Sequence, residues 1–358
     1  MTAETVARTH RLEARPDTVF WGRLPCADDP PILTVAAGDR IVVDTVSHEG
    51  ILEDQGRDPV RYFREFGVPP ESVLTDAQAV AAEVPHTATD GPHVVVGPIG
   101  VAGAEIGDSL AIRIESLARR ADYGIVSNRH RKGALPDVFP LHGAALTSVF
   151  VTVEEEHGVI PVRRETAAPR VRFPLAPFLG TIGVASAGRE RLHSTPPGAH
   201  GGNLDISLLR PGCTLYLPVQ VPGGNLYLGD PHYAQGNGEV ALTAFEAPLQ
   251  AEITVDVLPA EHVRLLLGDC SGPVVRTPDF LVTTGLDPDL DMAVRHSVQN
   301  AIHVLGASFG MAPDLAYAYL SAAVDFDISQ VVDIVKGVHS RIRLADFADV
   351  PAPHGLRW

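Results

Sequence analysis

The stretch from His200 to Glu246 limits what this chain can fold into more than any other. It holds His200-Gly-Gly-Asn203-Leu-Asp205, the apolar run Leu215-Tyr-Leu-Pro-Val-Gln-Val-Pro222, then Leu226-Tyr-Leu-Gly-Asp230-Pro-His232-Tyr-Ala-Gln235-Gly-Asn237-Gly-Glu239, and last Val240-Ala-Leu-Thr-Ala-Phe-Glu246. Two strand-like apolar runs are interrupted by loops in which glycines alternate with carboxylates, amides and histidines. Glycine permits the tight turns that bring such side chains together at strand ends. A chain of this pattern folds around short strands and carries nitrogen and oxygen ligands where they end.

The remainder reads the same way. With 33 Gly, 30 Pro and only 6% aromatics in 358 residues, many turns and short strands are expected. Ile32 to Val35 and Arg40 to Val46 flank Gly38-Asp39 as two strands about a tight turn. Leu110, Ile112 and Ile114 share parity while Arg113 and Glu115 face the other way, and Val149, Val151 and Val153 repeat the alternation before a turn at His157-Gly158, with Val159 to Val162 returning as a hairpin partner. Ile253 to Leu258 alternates again. Asp54 to Phe66, with Val60, Phe63 and Phe66 at helical spacing, is a short helix or an ordered loop. Helical periodicity dominates only within 286–325, where Leu290 to Leu305 and Pro313 to Ala323 form a pair joined across Gly306 to Ala312. No repeat or linker divides the chain, so residues 1–358 read as one interwoven, mainly β (α+β) unit with a helical pair near its C-terminus.

Charge and cysteine usage narrow the partners. Lys+Arg 28 against Asp+Glu 44 gives a net charge of −16, which disfavours nucleic acid and anionic membrane surfaces and suits a neutral or cationic ligand. Met1 to Trp21 lacks an apolar signal core and no long apolar run occurs, so a soluble, cytoplasmic protein is expected. Cys26, Cys213 and Cys270 are odd in number and widely spaced, which fits reduced thiols rather than a disulfide framework or a thiolate zinc site.

If Val240 to Glu246 is a strand, Glu246 shares the apolar face of Val240, Leu242 and Ala244, and a carboxylate there needs an Arg or Lys, a set of donors or a metal; alternatively it ends the strand and reaches solvent. Asp230 shares parity with Leu228, and Pro231 is expected to break the strand just before His232. Asp205 follows a pair of glycines. Singly, His232 is a hydrogen-bonded loop histidine, Asp230 a turn cap and Asp205 an Asx turn; together, Asp, His and Asp/Glu suit zinc or another divalent ion with a position left for water. Gln235, Asn237 and Glu239 also resemble an oxygen-rich calcium loop, without EF-hand spacing, so a structural calcium is an alternative. His200 and Asn203 either orient a substrate amide or stabilise the glycine turn. His193-Ser194 lacks a nucleophile elbow and Cys213 has no basic neighbour, so a serine or cysteine nucleophile is weakly marked.

The chain resembles the acetamidase/formamidase family. The likeness lies in His200-Gly-Gly-Asn-Leu-Asp205 and Gly229-Asp-Pro-His-Tyr-Ala-Gln-Gly-Asn-Gly-Glu239, and extends to Gly103-Ala-Glu105-Ile-Gly-Asp108, Gly180-Thr-Ile-Gly-Val184, Ser329-Gln-Val-Val-Asp333 and Gly337-Val-His339. It implies a β-sandwich or barrel-like body with accessory helices, and hydrolysis of a short aliphatic amide, of formamide or acetamide type, to ammonia and a carboxylate. In that reading Asp205, His232 and Asp230 or Glu246 hold a divalent metal, zinc first, and Glu105 or Glu246 acts as base; read alone, Glu105 is a turn residue. The chain departs from the family pattern at Ser186, Tyr233 and Asn237, and Tyr233 is expected to narrow the pocket or to hydrogen-bond the substrate. A homo-oligomer acting on a small amide is the expected setting. The rivals are a non-catalytic metal- or small-ligand-binding β-sandwich and a metal-independent Ser/Cys hydrolase.

Overall fold

The computed structural model describes residues 7–164, 166 and 168–356. Among them lie twenty strands and five α-helices. The strands form two large sheets, and neither closes into a barrel. The first sheet runs Thr9–Leu12, Arg40–Asp44, Leu249–Leu258, Ser109–Arg119, Thr214–Pro218, Val274–Arg276, Phe280–Asp287, Lys336–Arg343, Asp325–Gln330. The second runs Arg170–Pro174, His157–Pro161, Leu146–Glu154, Tyr123–Arg129, Phe245–Glu246, Leu226–Ala234, Phe178–Val184, Gly201–Asn203; Val94–Val101 also pairs with Leu226–Ala234 and carries Val19–Trp21 and Leu33–Val35. Each sheet mixes segments from both halves of the sequence, as an interwoven unit does.

Period-2 patterning assembles the core between the sheets. Ile112 and Ile114 face Val255 and Ile253 across one pairing, and with Leu110, Leu249 and Ala251 of the same two strands, all fully buried, they join one core cluster with Val94, Val96, Leu226 and Leu228 of the second sheet. Burial of each such aliphatic side chain contributes about 1.5–3 kcal/mol. The Gly38-Asp39 turn forms as expected, but its strands go to different sheets: Leu33–Val35 pairs parallel to Val94–Val101, whereas Arg40–Asp44 pairs with Leu249–Leu258. The hairpin after Val153 turns two residues early, at Glu155-Glu156, pairing Glu154 with His157 and leaving Gly158 inside a strand.

The helical pair is present as Leu290–Phe309 and Pro313–Ala323. Its connector is shorter than the spacing suggested, because Gly306 stays helical and Gly310, with φ 67°, ends the first helix in the left-handed conformation that glycine adopts without cost. Two further helices, Thr75–Glu83 and Ala260–Leu267, are nine and eight residues long, too short for a helical period to repeat clearly. No helix among the described residues is long and apolar enough to cross a membrane.

Helix Leu290–Phe309 lies against Phe280–Asp287 with its backbone nearly touching the strand. A Cβ at Gly285 would collide with the Ala293 carbonyl and the Ser297 amide. Gly285→Ala should therefore lower unfolding free energy by about 3 kcal/mol in denaturant titration, at the upper end for an overpacked core. An unchanged midpoint would mean that the helix seats differently.

Candidate active site

Strand Leu226–Ala234 is buried on both faces, and this makes the site. Leu228 and Tyr233 both pack into the inter-sheet core, although their odd separation would put them on opposite faces of a regular strand. Asp230, at φ 54°, makes the change of face. The strand therefore continues through Pro231 instead of ending there, and Asp230 turns to the other side of the sheet to line a cavity of about 630 Å³, with His232 behind the cavity wall against Asp230 and Glu246. Asp205 (φ 52°) and Glu239 (φ 46°), which also line the cavity or face its cluster, share this left-handed backbone. Such conformations cost about 1–3 kcal/mol each in residues with a Cβ and concentrate at functional sites.

Eight buried ionisable side chains gather there: Asp205, Asp230, Glu239, Glu246, Asp333, His48, His93 and His232. His232 Nε2 stands 3.1 Å from Glu246 Oε1 and 3.3 Å from Asp230 Oδ2, with its ring edge-on to Phe178. Asp230 also lies 3.5 Å from His48 Nδ1 and 3.8 Å from His93 Nε2. Three overlapping sets bring their ligand atoms within 4.8 Å of one another: His48, His93 and Asp230; Asp205, His232 and Glu239; Asp230, His232 and Glu246. Both carboxylate oxygens of Asp205, and single oxygens of Asp230, Glu239 and Glu246, are buried without a hydrogen-bond donor. Gly180 leaves them room, since a Cβ there would lie 2.5 Å from Asp230 Oδ2 and 2.6 Å from Asp205 Oδ1 and His232 Cε1.

Protonation is uneven across this cluster. Burial pushes Asp205, Glu239 and Glu246 above the usual carboxylate range; neighbouring carboxylates push Asp205 and Glu239 further, while His232 and His48 partly offset the shift at Glu246. Burial likewise takes Asp333 to about 7. Burial would raise Asp230 too, but His93 and His232 hold it well below its ordinary value. At His232 and His48 burial disfavours the charged ring, yet Glu246 and Asp230 prevail, taking His48 to about 10; His93 is held by burial at about 4. Five carboxylates cannot all ionise in one dry site without cations beside them.

Several expectations require correction. Glu246 is buried in the site, but not on a strand from Val240: that residue is exposed, Leu242 has φ 109°, and only Phe245–Glu246 is extended. Its place comes from pairing with His232 across the ladder. Glu105 is exposed in a turn closed by Asp108, whose carboxylate accepts from the Glu105 and Ala260 amides, and it does not line the cavity. His200 sits beside the glycine turn, outside the cavity. Asn203 lines the cavity, but its amide is engaged, accepting from Thr181 Oγ1 at 2.9 Å and donating to Asp333 Oδ2 at 2.9 Å. Gln235 donates to the Asp205 carbonyl and Asn237 accepts from Ser207, so of the calcium-like trio only Glu239 faces the cluster.

Tyr233, adjacent to His232, points the opposite way into the core. Its hydroxyl accepts from the Arg120 and Ala121 amides and reaches the Ala121 and Pro248 carbonyls at 2.8 and 2.9 Å. It therefore neither narrows the pocket nor meets a substrate. Of the nucleophile candidates, Ser194 is fully buried with its hydroxyl 3.0 Å from His93 Nδ1, the Cys213 thiol donates to the Leu208 carbonyl within the core, and neither lines the cavity. His48, His93 and Asp333 went unseen in the sequence; the one signal was Asp333 at the end of Ser329-Gln-Val-Val-Asp333.

Comparison with known proteins agrees with this architecture. Residues 73–189 and 185–344 match the acetamidase/formamidase family. A formamidase of Methylophilus methylotrophus is 27% identical over 300 residues, covering 68% of this chain and 74% of that protein. An acetamidase of Mycolicibacterium smegmatis is 27% identical over 306 residues, covering 64% and 73%. Among solved structures, an acetamidase from Bacillus halodurans superposes with a TM-score of 0.73 at 25% identity over 96% of this chain and all of that one. A gamma lactamase from Delftia acidovorans shares the fold, at a TM-score of 0.56 and 22% identity over 98% of this chain and 96% of that one. The chain belongs to the acetamidase/formamidase family, whose members are amide-hydrolysing enzymes.

Two variants check these placements. Gly180→Ala should leave secondary structure intact by circular dichroism but push Asp230, Asp205 and His232 apart, abolishing amide turnover; retained turnover would remove Gly180 from the site. Tyr233→Phe should lower stability by about 1–3 kcal/mol, the cost of stranding buried amides and carbonyls, with the ranking of amide substrates preserved. A changed ranking would put the ring at the substrate.

Proposed function

We propose that this enzyme cleaves the C–N bond of a linear carboxamide, releasing ammonia and the carboxylate, with a divalent ion held at His232 by Asp205 and Glu239 on one side or by Asp230 on the other. The observation that carries this is the set of buried, donorless carboxylate oxygens gathered around His232 at the inner end of the cavity. Nitrogen and carboxylate oxygen donors without a thiolate suit zinc among the divalent ions. Such an ion would supply Lewis acidity toward a carbonyl and offset part of the carboxylate charge.

The protein's own groups account for the proton. Glu246 Oε1 accepts from the Ala244 amide at 3.0 Å, which fixes the carboxylate, while Oε2 has no donor. Burial raises its affinity for a proton, as a base working near neutrality requires. Glu246 takes a proton from the attacking water and passes it to the departing nitrogen. Asn203, tied to Thr181 and Asp333, forms part of the cavity wall.

Elemental analysis of protein purified without chelator should find a divalent metal, reduced in His232→Ala, and chelator should stop ammonia release until metal is restored. Metal-free protein with full turnover would refute the ion. Glu246→Gln should keep its melting temperature and lose about 10²-fold or more in amide turnover, the scale of a missing general base; undiminished turnover would move the base elsewhere.

A further inference from the structure

The cavity is far larger than a formamide or acetamide needs. Such amides fill on the order of 100 Å³, a few times water's share of the liquid, whereas the cavity of about 630 Å³ falls among sites that enclose much larger ligands. Besides the carboxylates and histidines, its lining includes the apolar side chains of Leu52, Pro92, Leu242, Val332 and Ile334. At its mouth the charge changes sign, through Arg131 and Lys132.

These two cations are uncompensated in a chain of net charge −16. Every acid at the rim already has a partner: Asp54 binds Arg129 at 2.7 Å, Glu53 binds His86 at 2.8 Å, and Asp90 binds Arg23 at 2.7 Å. Among the described residues neither Arg131 nor Lys132 has an acidic partner. They are not on a free loop. Lys132 N donates to the Arg129 carbonyl, Ala134 N to Val240 and Asn128 Nδ2 to Ala241, so the turn is tied to the segment between Glu239 and Glu246. Arg131 itself has φ 62°.

Resting on the hydrolytic reading above, we infer that the substrate is an amide whose far end is a carboxylate, held by Arg131 and Lys132 while its carboxamide lies at Asp230, His232 and Glu246. The apolar side chains of the same cavity suit a methylene chain joining the two ends. Hydrolysis then adds water across the amide C–N bond, so that the water oxygen remains on the acyl carbon and nitrogen leaves as ammonium; the amide monoanion becomes a dicarboxylate, and charge balances. Exposed guanidinium and ammonium groups at a cleft mouth also steer anions inward.

The test compares succinamate with butyramide, which has a methyl group in place of the carboxylate. The parent enzyme should prefer succinamate in kcat/KM by about 10-fold or more, and the double variant Arg131→Gln/Lys132→Gln should bring the ratio close to one, chiefly through KM. The exchange variant Arg131→Lys/Lys132→Arg, which keeps the charge, should retain the preference and guard against a folding defect. Equal use of both amides by the parent, or an unchanged ratio in the double variant, overturns the inference. If neither amide yields ammonia, the hydrolytic reading has failed separately, and calorimetric titration decides the anion site. Tighter binding of succinamate than butyramide, lost in the double variant, upholds it; equal binding rejects it.

Discussion

Everything around the cavity answers to one electrostatic problem, the burial of Asp205, Asp230, Glu239, Glu246 and Asp333 against one another. Isolated, each charge would cost several kcal/mol or more to hold out of water. Within the cluster the relief comes from His48 and His232, whose rings the carboxylates keep protonated, while the guanidinium of Arg129, on the cavity wall, is engaged with Glu49 at 3.1 Å and Asp54 at 2.7 Å. A set of acids held this way needs a rigid frame around it, and keeps its charge down by holding protons on Asp205, Glu239 and Glu246.

The frame supplies the rigidity by burying the central strands of the second sheet on both faces. Val94–Val101, Phe178–Val184 and Leu226–Ala234 present one side to the inter-sheet core and the other to the cavity or its surround. Asp333 arrives from the other sheet, in the turn between Asp325–Gln330 and Lys336–Arg343, which Gly238 N anchors through the Ser329 carbonyl. The site is thus shared by both sheets, and loosening either would separate its carboxylates. The left-handed backbone at Asp205, Asp230 and Glu239 is tolerated because dense packing on each side leaves no alternative path.

How much of this was legible in the sequence depended on distance along the chain. Glycine-bracketed carboxylates and a histidine within His200 to Glu239 mark their own convergence, and Asp205, Asp230 and His232 do meet. His48 and His93 come from segments more than a hundred residues earlier, each beside an unremarkable turn, and only tertiary pairing brings them in. Glu246 was found for the wrong reason: strand parity from Val240 does not exist there, and the cross-strand pairing with His232 that buries it has no local signature. Tyr233 misled in the opposite sense, because adjacency to a residue of the site in a strand places a side chain on the other face. Periodicity gave the strands themselves, but could not reveal that Leu33–Val35 and Arg40–Asp44 part company into different sheets.

The separation of functions within the cavity follows from what each part can change without harm. The inner cluster is locked by mutual charge and by Gly180, where no side chain can be added without entering the space of three carboxylate and imidazole groups. The rim is built from turns at Asp90, Arg131 and Ile334, whose residues bear no comparable burden. Chemistry therefore resides on doubly buried strands and recognition on the turns above them, so one scaffold can hold its reaction constant while the mouth is rewritten for amides of different size and charge.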